Sequence, residues 1–380
     1  MNLDFSKIKI KYDKMRTKMN TVAVVVAFLL TMTFSLQAQT NPAFKSFERF
    51  FVQPKHYVAG FTSTPPVIDG NIDEKIWEQA VWTDEFRDIE GELSDRPLPY
   101  YNTRVKMLWD KDYLYIAAYL KDKHVWANLK ERDQIVYHDN DFEVFIDPHN
   151  SGVRYFEYEI NALNTIFDLY LGKPYRTGGD ILIPWNSDNM KNAIRIMGTL
   201  NDPSDEDEGW TVEWAIPFKD MGVSSPKNNN IWRLGFSRVE WDTEISGGKY
   251  VKKTDSNGKN LPENNWVWSP TGAIDMHMPE RWGYIQFSEV ETGKTLPEFV
   301  LPYGELQRQY LWLGFYKQRE YHKKHQKYAS SLGELGLTSK VTIDGSSNIL
   351  TLEATSKQFT LTISDSKNAG LQINNDGLVN

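Results

Sequence analysis

The seven residues Asp141-Phe142-Glu143-Val144-Phe145-Ile146-Asp147 alternate between apolar and acidic side chains over most of their length. Successive side chains of a β-strand point to opposite faces, so the pattern predicts a strand with one buried face and one acidic face. The segment Tyr155–Asn161 repeats the alternation and predicts a neighbouring strand. The acidic face carries Asp141, Glu143 and Asp147 from the first segment and Glu157, Glu159 and Asn161 from the second.

Short runs with the same period continue outward from this pair. The runs 104–109 and 113–121 are joined by Asp110-Lys111-Asp112, which is typical of a hairpin. Asp73 precedes a short amphipathic segment, 74–80, and predicts one helix there. The sequence therefore predicts a mainly β protein, an antiparallel, jelly-roll-like β-sandwich with a short N-terminal helix. Further strands are predicted at 165–171, 193–200, 210–216, 232–241, 265–269 and 282–287.

The texture of the chain changes after Glu289. Leu296-Pro297 and Leu301-Pro302 are typical of a linker, 305–327 favours an aromatic, basic helix, and 341–379 favours a Thr- and Ser-rich meander. The sequence predicts a small C-terminal helix-and-β appendage. The predicted division is a leader at 39–55, a sandwich at 56–290, a linker at 291–304 and the appendage at 305–380.

The first 38 residues have the pattern of an export signal. Six basic residues between Lys7 and Lys18 precede the apolar run 22–36, and Leu36-Gln37-Ala38 resembles a cleavage site. A transmembrane anchor is the alternative, but the run is shorter than the about 20 apolar residues that a span requires. We expect a signal peptide at 1–38 and export to the periplasm, the cell surface or the medium, with no membrane span after cleavage.

The composition of the 380 residues excludes several classes of function. The chain has no cysteine, so disulfides, zinc–thiolate sites, iron–sulfur clusters and thiol nucleophiles are excluded. Residues 1–38 carry six Lys or Arg and two Asp, so the chain without them has a net charge of about −12, from −8 for the whole. Such a surface repels phosphate backbones, so nucleic acid is not an expected partner, whereas neutral sugars remain suitable ligands. The oligomeric state stays open.

Five segments in order over residues 56–288 resemble family 9 carbohydrate-binding modules. They are Val67 to Trp77, Val105 to Ile116, Asp141 to Asp147, Trp210 to Pro217 and Trp282 to Phe287. The resemblance implies a sandwich that holds sugar units between aromatic faces, binds oligo- or polysaccharide, requires no cofactor and often accompanies secreted glycoside hydrolases.

Position by position, the resemblance also implies a set of sugar-binding residues. Glu143 matches the sugar-bonding acid, and Tyr137 matches one stacking aromatic. Glu159 stands where the family has a basic residue, which is a departure. The position of the second aromatic is open, between the segment that contains His277 and the upstream tryptophans. The complete candidate set is Tyr137, Glu143, Glu159, Asn161, Trp266, Trp268 and His277.

Other functions are also compatible with the residues. If the protein is an enzyme, Glu143 and Glu159 on neighbouring strands are the candidate carboxylate pair of a glycoside hydrolase. Met276-His277-Met278 offers ligands for haem, although a His beside Met more often packs in a core. Calcium is a candidate ion, because Asp residues supply the oxygen ligands that it prefers. Its candidate ligands are Asp139, Asp147, Asp205 and Asp207.

Overall fold

A computed structural model describes residues 41–366 and 370–380. The predicted signal peptide at 1–38 therefore lies outside the described residues. The described chain forms two compact units, 41–53 and 54–380. The first contains two 3-10 turns, Pro42–Phe44 and Glu48–Phe51, whose Phe44 and Phe51 rings meet edge to face at 4.7 Å.

The second unit is built mainly from strands. The described residues form nineteen, and their bounds follow in chain order. The strands are β1 His56–Phe61, β2 Arg87–Asp88, β3 Thr103–Trp109, β4 Tyr113–Lys121, β5 Asp141–Asp147, β6 Tyr155–Asn161, β7 Ile166–Leu171, β8 Ile181–Leu182, β9 Lys191–Met197, β10 Gly209–Pro217, β11 Ile231–Glu240, β12 Thr243–Ser246, β13 Lys249–Lys252, β14 Asn264–Val267, β15 Gly283–Glu291, β16 Lys340–Ile343, β17 Ser346–Ala354, β18 Phe359–Ser364 and β19 Leu371–Asn374.

Thirteen of these strands form one large sheet. Eleven follow the order β8-β7-β6-β5-β11-β15-β1-β3-β4-β10-β9, and β14 and β2 branch from β11. The two ends of the sheet pack face to face, because Phe142 of β5 and Tyr158 of β6 contact Trp214 of β10 at ring distances of 5.7 and 6.3 Å. This confirms the predicted β-sandwich. The pairing is not wholly antiparallel, because β1 runs parallel to both β15 and β3.

The alternation in β5 and β6 has the expected consequence for packing. Phe142, Val144 and Ile146 point into the core shared by both halves of the sheet and are fully buried. The opposite face carries the acidic residues, and the antiparallel register sets Glu143 of β5 beside Glu159 of β6 and Ser237 of β11. The fold thus gathers the polar side chains of three adjacent strands on one face.

Two α-helices occur among the described residues, α1 Lys75–Glu78 and α2 Tyr303–His325. α1 is shorter than the predicted 74–80. α2 follows Pro302, whose fixed φ favours a helix start, and its last turn is basic, which complements the helix dipole. Strands β16 to β19 form a separate four-stranded sheet, and α2 packs against β18 and β19. No helix in the described ranges is long and apolar enough to cross a membrane.

The segment from α2 onward is joined to the sandwich by buried polar contacts. Arg233 of β11 forms an ion pair with Glu305 of α2 at 2.8 Å, and the Tyr284 hydroxyl donates to the same carboxylate at 3.0 Å. Both ends of the ion pair are at most 6% exposed. Near the C-terminus, the Val379 N–H donates to the Ser151 carbonyl at 2.8 Å. Truncating any one partner would leave buried polar groups unpaired.

Candidate functional site

Carboxylates form the floor of a site on the outer face of β5 and β6. Asp141, Glu143 and Glu159 each contribute an oxygen to a group in which all three atoms lie within 4.8 Å of one another. The side chains are buried, with exposures of 0%, 6% and 2%. Glu157, two residues before Glu159 on β6 and on the same face, is also buried. Four acidic groups thus share a small volume.

Burial and mutual repulsion raise the pKa of all four groups. Burial raises the pKa of Glu143 to about 7, against the opposing effect of the Ser237 hydroxyl. For Asp141, Glu157 and Glu159, burial and then the charges of the other carboxylates raise the pKa well above the ordinary value. Every charged neighbour that shifts these pKa values is itself a carboxylate. The cluster therefore has an excess of negative charge that nothing basic nearby offsets.

Tyr137 and Tyr175 flank this floor with half-exposed rings. Tyr137 lies in the 3-10 turn Val136–His138 before β5, and its N–H donates to the Glu159 carboxylate at 3.1 Å. Tyr175 begins a second 3-10 turn after β7. Burial and the nearby Glu157, Glu159 and Tyr137 raise the pKa of Tyr175 to about 12, which locates it beside the same carboxylates. The rings are 37% and 49% exposed, so both offer a surface to a ligand.

The sequence reasoning did not identify Tyr175. It lies outside the five segments that carry the family resemblance, in a loop that returns to the site only because β7 pairs with β6. One local signal could have pointed to it. Pro174-Tyr175-Arg176-Thr177-Gly178-Gly179 is a turn sequence with one aromatic residue, and an aromatic on a loop is a frequent ligand contact.

His277 supports Tyr175 from below. Its ring meets the Tyr175 ring edge to face at 4.4 Å, and its Nδ1 is 2.9 Å from the Tyr155 hydroxyl. Burial, followed by the positive charge of Arg176, lowers the pKa of His277 to about 3, so the ring is neutral at pH 7. The flanking Met276 packs against the cluster of Phe145, Tyr155, Leu169, Leu171 and Trp282. The segment is therefore part of the wall behind the tyrosine.

Asn161 has no hydrogen-bonding capacity left for a sugar. Its Nδ2 donates to the Leu129 carbonyl and to Asp139, and its Oδ1 accepts from the N–H groups of Leu163 and Thr165. The side chain is fully buried. It anchors the loop before β5 to the loop after β6, which holds Tyr137 in place indirectly.

Trp266 and Trp268 differ from the expectation that they lie in or near loops with accessible ring faces. Trp266 belongs to β14, and the two rings are only 2% and 1% exposed. Both pack in the central core, where Trp268 lies so close to Gly283 that a Cβ on that glycine would clash at 2.4 Å. Their apolar area was more favourably buried inside the sandwich than left at its rim. Neither ring has a free face for stacking.

The four aspartates proposed for calcium are not brought together. Asp139 and Asp147 stand at opposite ends of β5 and accept backbone N–H groups, those of Asn128 and Leu129 for the first and of His149, Ser151 and Gly152 for the second. Asp207 accepts from Val125 and Thr199, and Asp205 from the Thr199 hydroxyl. Within the described residues, the group with metal-ligand spacing is instead Asp141, Glu143 and Glu159.

Several curated proteins are similar to part of this chain. Endo-1,4-beta-xylanase A of Thermotoga maritima is 27% identical over 226 residues, which are 58% of this chain and 17% of that protein. Exoglucanase XynX of Acetivibrio thermocellus is 30% identical over 209 residues, 54% of this chain and 15% of that protein. The chain thus spans less than a fifth of the length of these relatives.

Solved structures with a similar course of the chain are modules of about the same extent. A family 9 carbohydrate-binding module from Caldicellulosiruptor kristjanssonii in complex with cellotriose is 17% identical, with a TM-score of 0.42, over 65% of this chain and all of that one. A putative carbohydrate-binding protein from Bacteroides uniformis is 14% identical, with a TM-score of 0.45, over 62% of this chain and all of that one.

A family model matches the part of the chain that contains the site. The model is described as carbohydrate family 9 binding domain-like, and it matches residues 68–285. This range includes β2 to β14, the carboxylate floor and both flanking tyrosines. Because the match covers more than half of the 380 residues, the chain belongs to the carbohydrate family 9 binding domain-like family.

Proposed function

We propose that the protein binds sugar units of an oligo- or polysaccharide in the cleft between Tyr137 and Tyr175. The observation that carries this proposal is the placement of two half-exposed tyrosine rings on either side of buried carboxylates, within the family 9 domain. A pyranose has apolar C–H faces and a belt of hydroxyls. The rings would contact the faces, and Glu143 and Glu159 would hydrogen-bond the hydroxyls.

The carboxylates suit hydroxyl ligands in either protonation state. An ionised carboxylate accepts hydrogen bonds, and a protonated one also donates. Because burial raises the pKa of Glu143 to about 7, both forms are populated at neutral pH. All of these contacts use side chains of the chain itself, so the proposed binding requires no cofactor.

The cellular setting and the division of the chain are part of the proposal. We infer that residues 1–38 direct export and that the protein acts outside the cytoplasm, in the periplasm, at the cell surface or in the medium, on polysaccharide during its breakdown. The sandwich at 56–290 would be the binding domain, with the leader at 39–55, the linker at 291–304 and the appendage at 305–380 as separate segments. The xylanases that match this region are carbohydrate-degrading enzymes by name, which supports this setting.

A glycan array followed by calorimetric titration of the best ligand tests the binding. We expect binding to soluble oligosaccharides that falls about tenfold or more in Tyr137→Ala, because a stacked ring contributes on the order of 1–2 kcal/mol. Tyr321→Ala is the matched control, since that tyrosine lies on α2 and contacts His325 and Glu334. Absence of glycan binding by a folded sample would overturn the proposal.

Glycoside hydrolysis is the second candidate function. Glu143 and Glu159 offer oxygens within 4.8 Å of each other, close to the about 5–5.5 Å between carboxyl groups of retaining glycosidases. A reducing-sugar assay on the array ligands separates the two functions. Binding alone leaves the substrate intact. Release of reducing ends that is lost in Glu143→Gln would replace binding by catalysis as the function of the cleft.

A further inference from the structure

We propose that Asp141, Glu143 and Glu159 hold a divalent cation of the calcium class on the floor of the cleft, with the Ser237 hydroxyl as an additional oxygen ligand. The site differs from the four aspartates suggested by the sequence. It also does not depend on the sugar, because the ligands are all side chains of this protein.

The spacing of the three carboxylates fits one ion. Calcium binds oxygen at about 2.4 Å, so two oxygens that share one ion lie no more than about 4.8 Å apart. Asp141, Glu143 and Glu159 each have an oxygen within 4.8 Å of the other two. They come from two adjacent strands whose register is fixed by the β5–β6 ladder, so their backbone positions are already set before an ion binds.

Two buried polar groups at the same place have no partner. The Oδ2 of Asp141 accepts no hydrogen bond, although its Oδ1 accepts the Val239 N–H at 3.2 Å. The Ser237 hydroxyl, on the strand on the other side of Glu143, also makes no hydrogen bond and is only 1% exposed. A buried oxygen without a partner costs about 1–3 kcal/mol, and both would be satisfied as ligands of the same ion.

The other buried acids show that this cluster is exceptional. Asp139 and Asp147 are equally close to β5, but backbone N–H groups occupy their oxygens. Elsewhere on β11, Glu240 pairs with Arg238 at 2.7 Å. The cluster has neither kind of compensation from the described residues. Several carboxylates in one buried site repel one another, and a bound cation is the ordinary solution to this cost.

The chemistry of the ligands selects the type of ion. All of the candidate ligand atoms are oxygens, without the imidazole or thiolate that favours zinc or copper. Three carboxylates and a hydroxyl suit calcium, which takes six to eight oxygens, and water or a sugar hydroxyl would complete the shell. A competing occupant is the ammonium group of an amino sugar, which also fits carboxylates beside aromatic rings.

The test uses the sugar-free, full-length protein after chelator treatment and dialysis. Isothermal titration and terbium luminescence, excited through Tyr137 or Tyr175, measure cation binding directly. We expect one site per chain that prefers Ca²⁺ to Mg²⁺. Removing one charged ligand, in Glu143→Gln or Glu159→Gln, should weaken binding about tenfold or more. Asp205→Asn is the matched control and should bind as the wild type does, because Asp205 contacts only Thr199 among its printed partners.

The outcomes separate this proposal from sugar binding. No binding at millimolar Ca²⁺ by a folded sample, or unchanged binding in both glutamine variants, would overturn the cation site while leaving the glycan result intact. Stabilisation by glucosamine but not by Ca²⁺ would replace the cation by an ammonium group. If a glutamine variant does not fold, Ser237→Ala keeps the test decisive, since it removes only the hydroxyl and should weaken Ca²⁺ binding a few-fold.

Discussion

Two buried glutamates, Glu213 on β10 and Glu143 on β5, show how the same residue type serves different ends. Glu213 accepts hydrogen bonds from the indole of Trp77 and from the N–H groups of Asp69 and Gly70. Glu143 lies among other carboxylates beside an unpartnered hydroxyl. A buried carboxylate that the protein satisfies itself is structural. One that the protein leaves unsatisfied is available to a ligand.

The aromatic residues around these glutamates divide in the same way. Trp77 is fully buried and fills the space between α1 and the outer side of the sheet, where it packs with Leu108 and Tyr115. Tyr137 and Tyr175 keep part of their rings in solvent. Indole rings carry the largest apolar area and stabilise the fold most when fully buried, whereas tyrosine combines an apolar face with a polar tip that suits a wet cleft.

The largest effect expected from this contrast is on stability. Trp77→Ala should reduce the free energy of unfolding by about 3–5 kcal/mol, because it leaves a cavity and removes a donor from Glu213. Tyr137→Ala, at the exposed cleft, should change it by less than about 1 kcal/mol. Urea denaturation monitored by tryptophan fluorescence measures both. Similar losses in the two variants would contradict the division into core and cleft aromatics.

The next effect concerns the wall behind Tyr175. The pKa of His277 is lowered from its ordinary 6.5 to about 3, so the unfolded chain takes up a proton as the pH falls below 6.5 while the folded chain does not. Stability from this group is therefore present above pH 6.5 and is lost as the pH falls toward 3. Between pH 7 and pH 5 the loss should be about 2 kcal/mol.

The comparison that isolates this effect is between the wild type and His277→Gln. The buried carboxylates gain protons over the same pH range and act in the opposite direction, but they do so in both proteins. Urea denaturation at pH 7 and pH 5 should show that the variant lacks the His277 contribution. An identical pH dependence in the two proteins would show that the ring is not held neutral by burial against Tyr155 and Tyr175.

A third effect sharpens the functional half of the contrast. Tyr175→Ala should lower sugar affinity about tenfold, or about 1.4 kcal/mol, while changing the free energy of unfolding by less than about 1 kcal/mol. The expected loss matches that of Tyr137→Ala, because both rings face the same carboxylates. Calorimetric titration and urea denaturation of the same samples measure the two quantities. Unchanged affinity in Tyr175→Ala would restrict the stacking surface to Tyr137.

The sequence was sufficient for the fold because the strands have a simple period. Alternation in Asp141–Asp147 and Tyr155–Asn161 identified the two strands and the face on which Glu143 and Glu159 lie. It could not identify Tyr175, because loops have no period and their position depends on tertiary contacts. For the same reason it misplaced Trp266 and Trp268. A ring near a turn signal can be solvated or buried, and only packing against the other half of the sandwich decides between them.

The smallest expected effect tests whether α2 helps to position the cleft. The Tyr316 hydroxyl donates to Glu280 at 2.6 Å, and Glu280 pairs with Arg176 at 2.7 Å, directly after Tyr175 in the chain. Arg319 of α2 donates to the Arg176 carbonyl at 2.8 Å. Tyr316→Phe removes one of these bonds and should cost about 1 kcal/mol of stability. If the helix holds the Tyr175 loop, sugar affinity should also fall about two- to threefold.

Tyr321→Phe is the control for this last effect, because it removes a hydroxyl from the same helix that bonds only to Glu334 among its printed partners. Its affinity and stability should stay within about 0.5 kcal/mol of the wild type. A loss of stability in Tyr316→Phe without a loss of affinity would mean that α2 only braces the sandwich. A parallel loss of both would mean that the C-terminal segment, although outside the matched family region, sets the geometry of one of the two stacking rings.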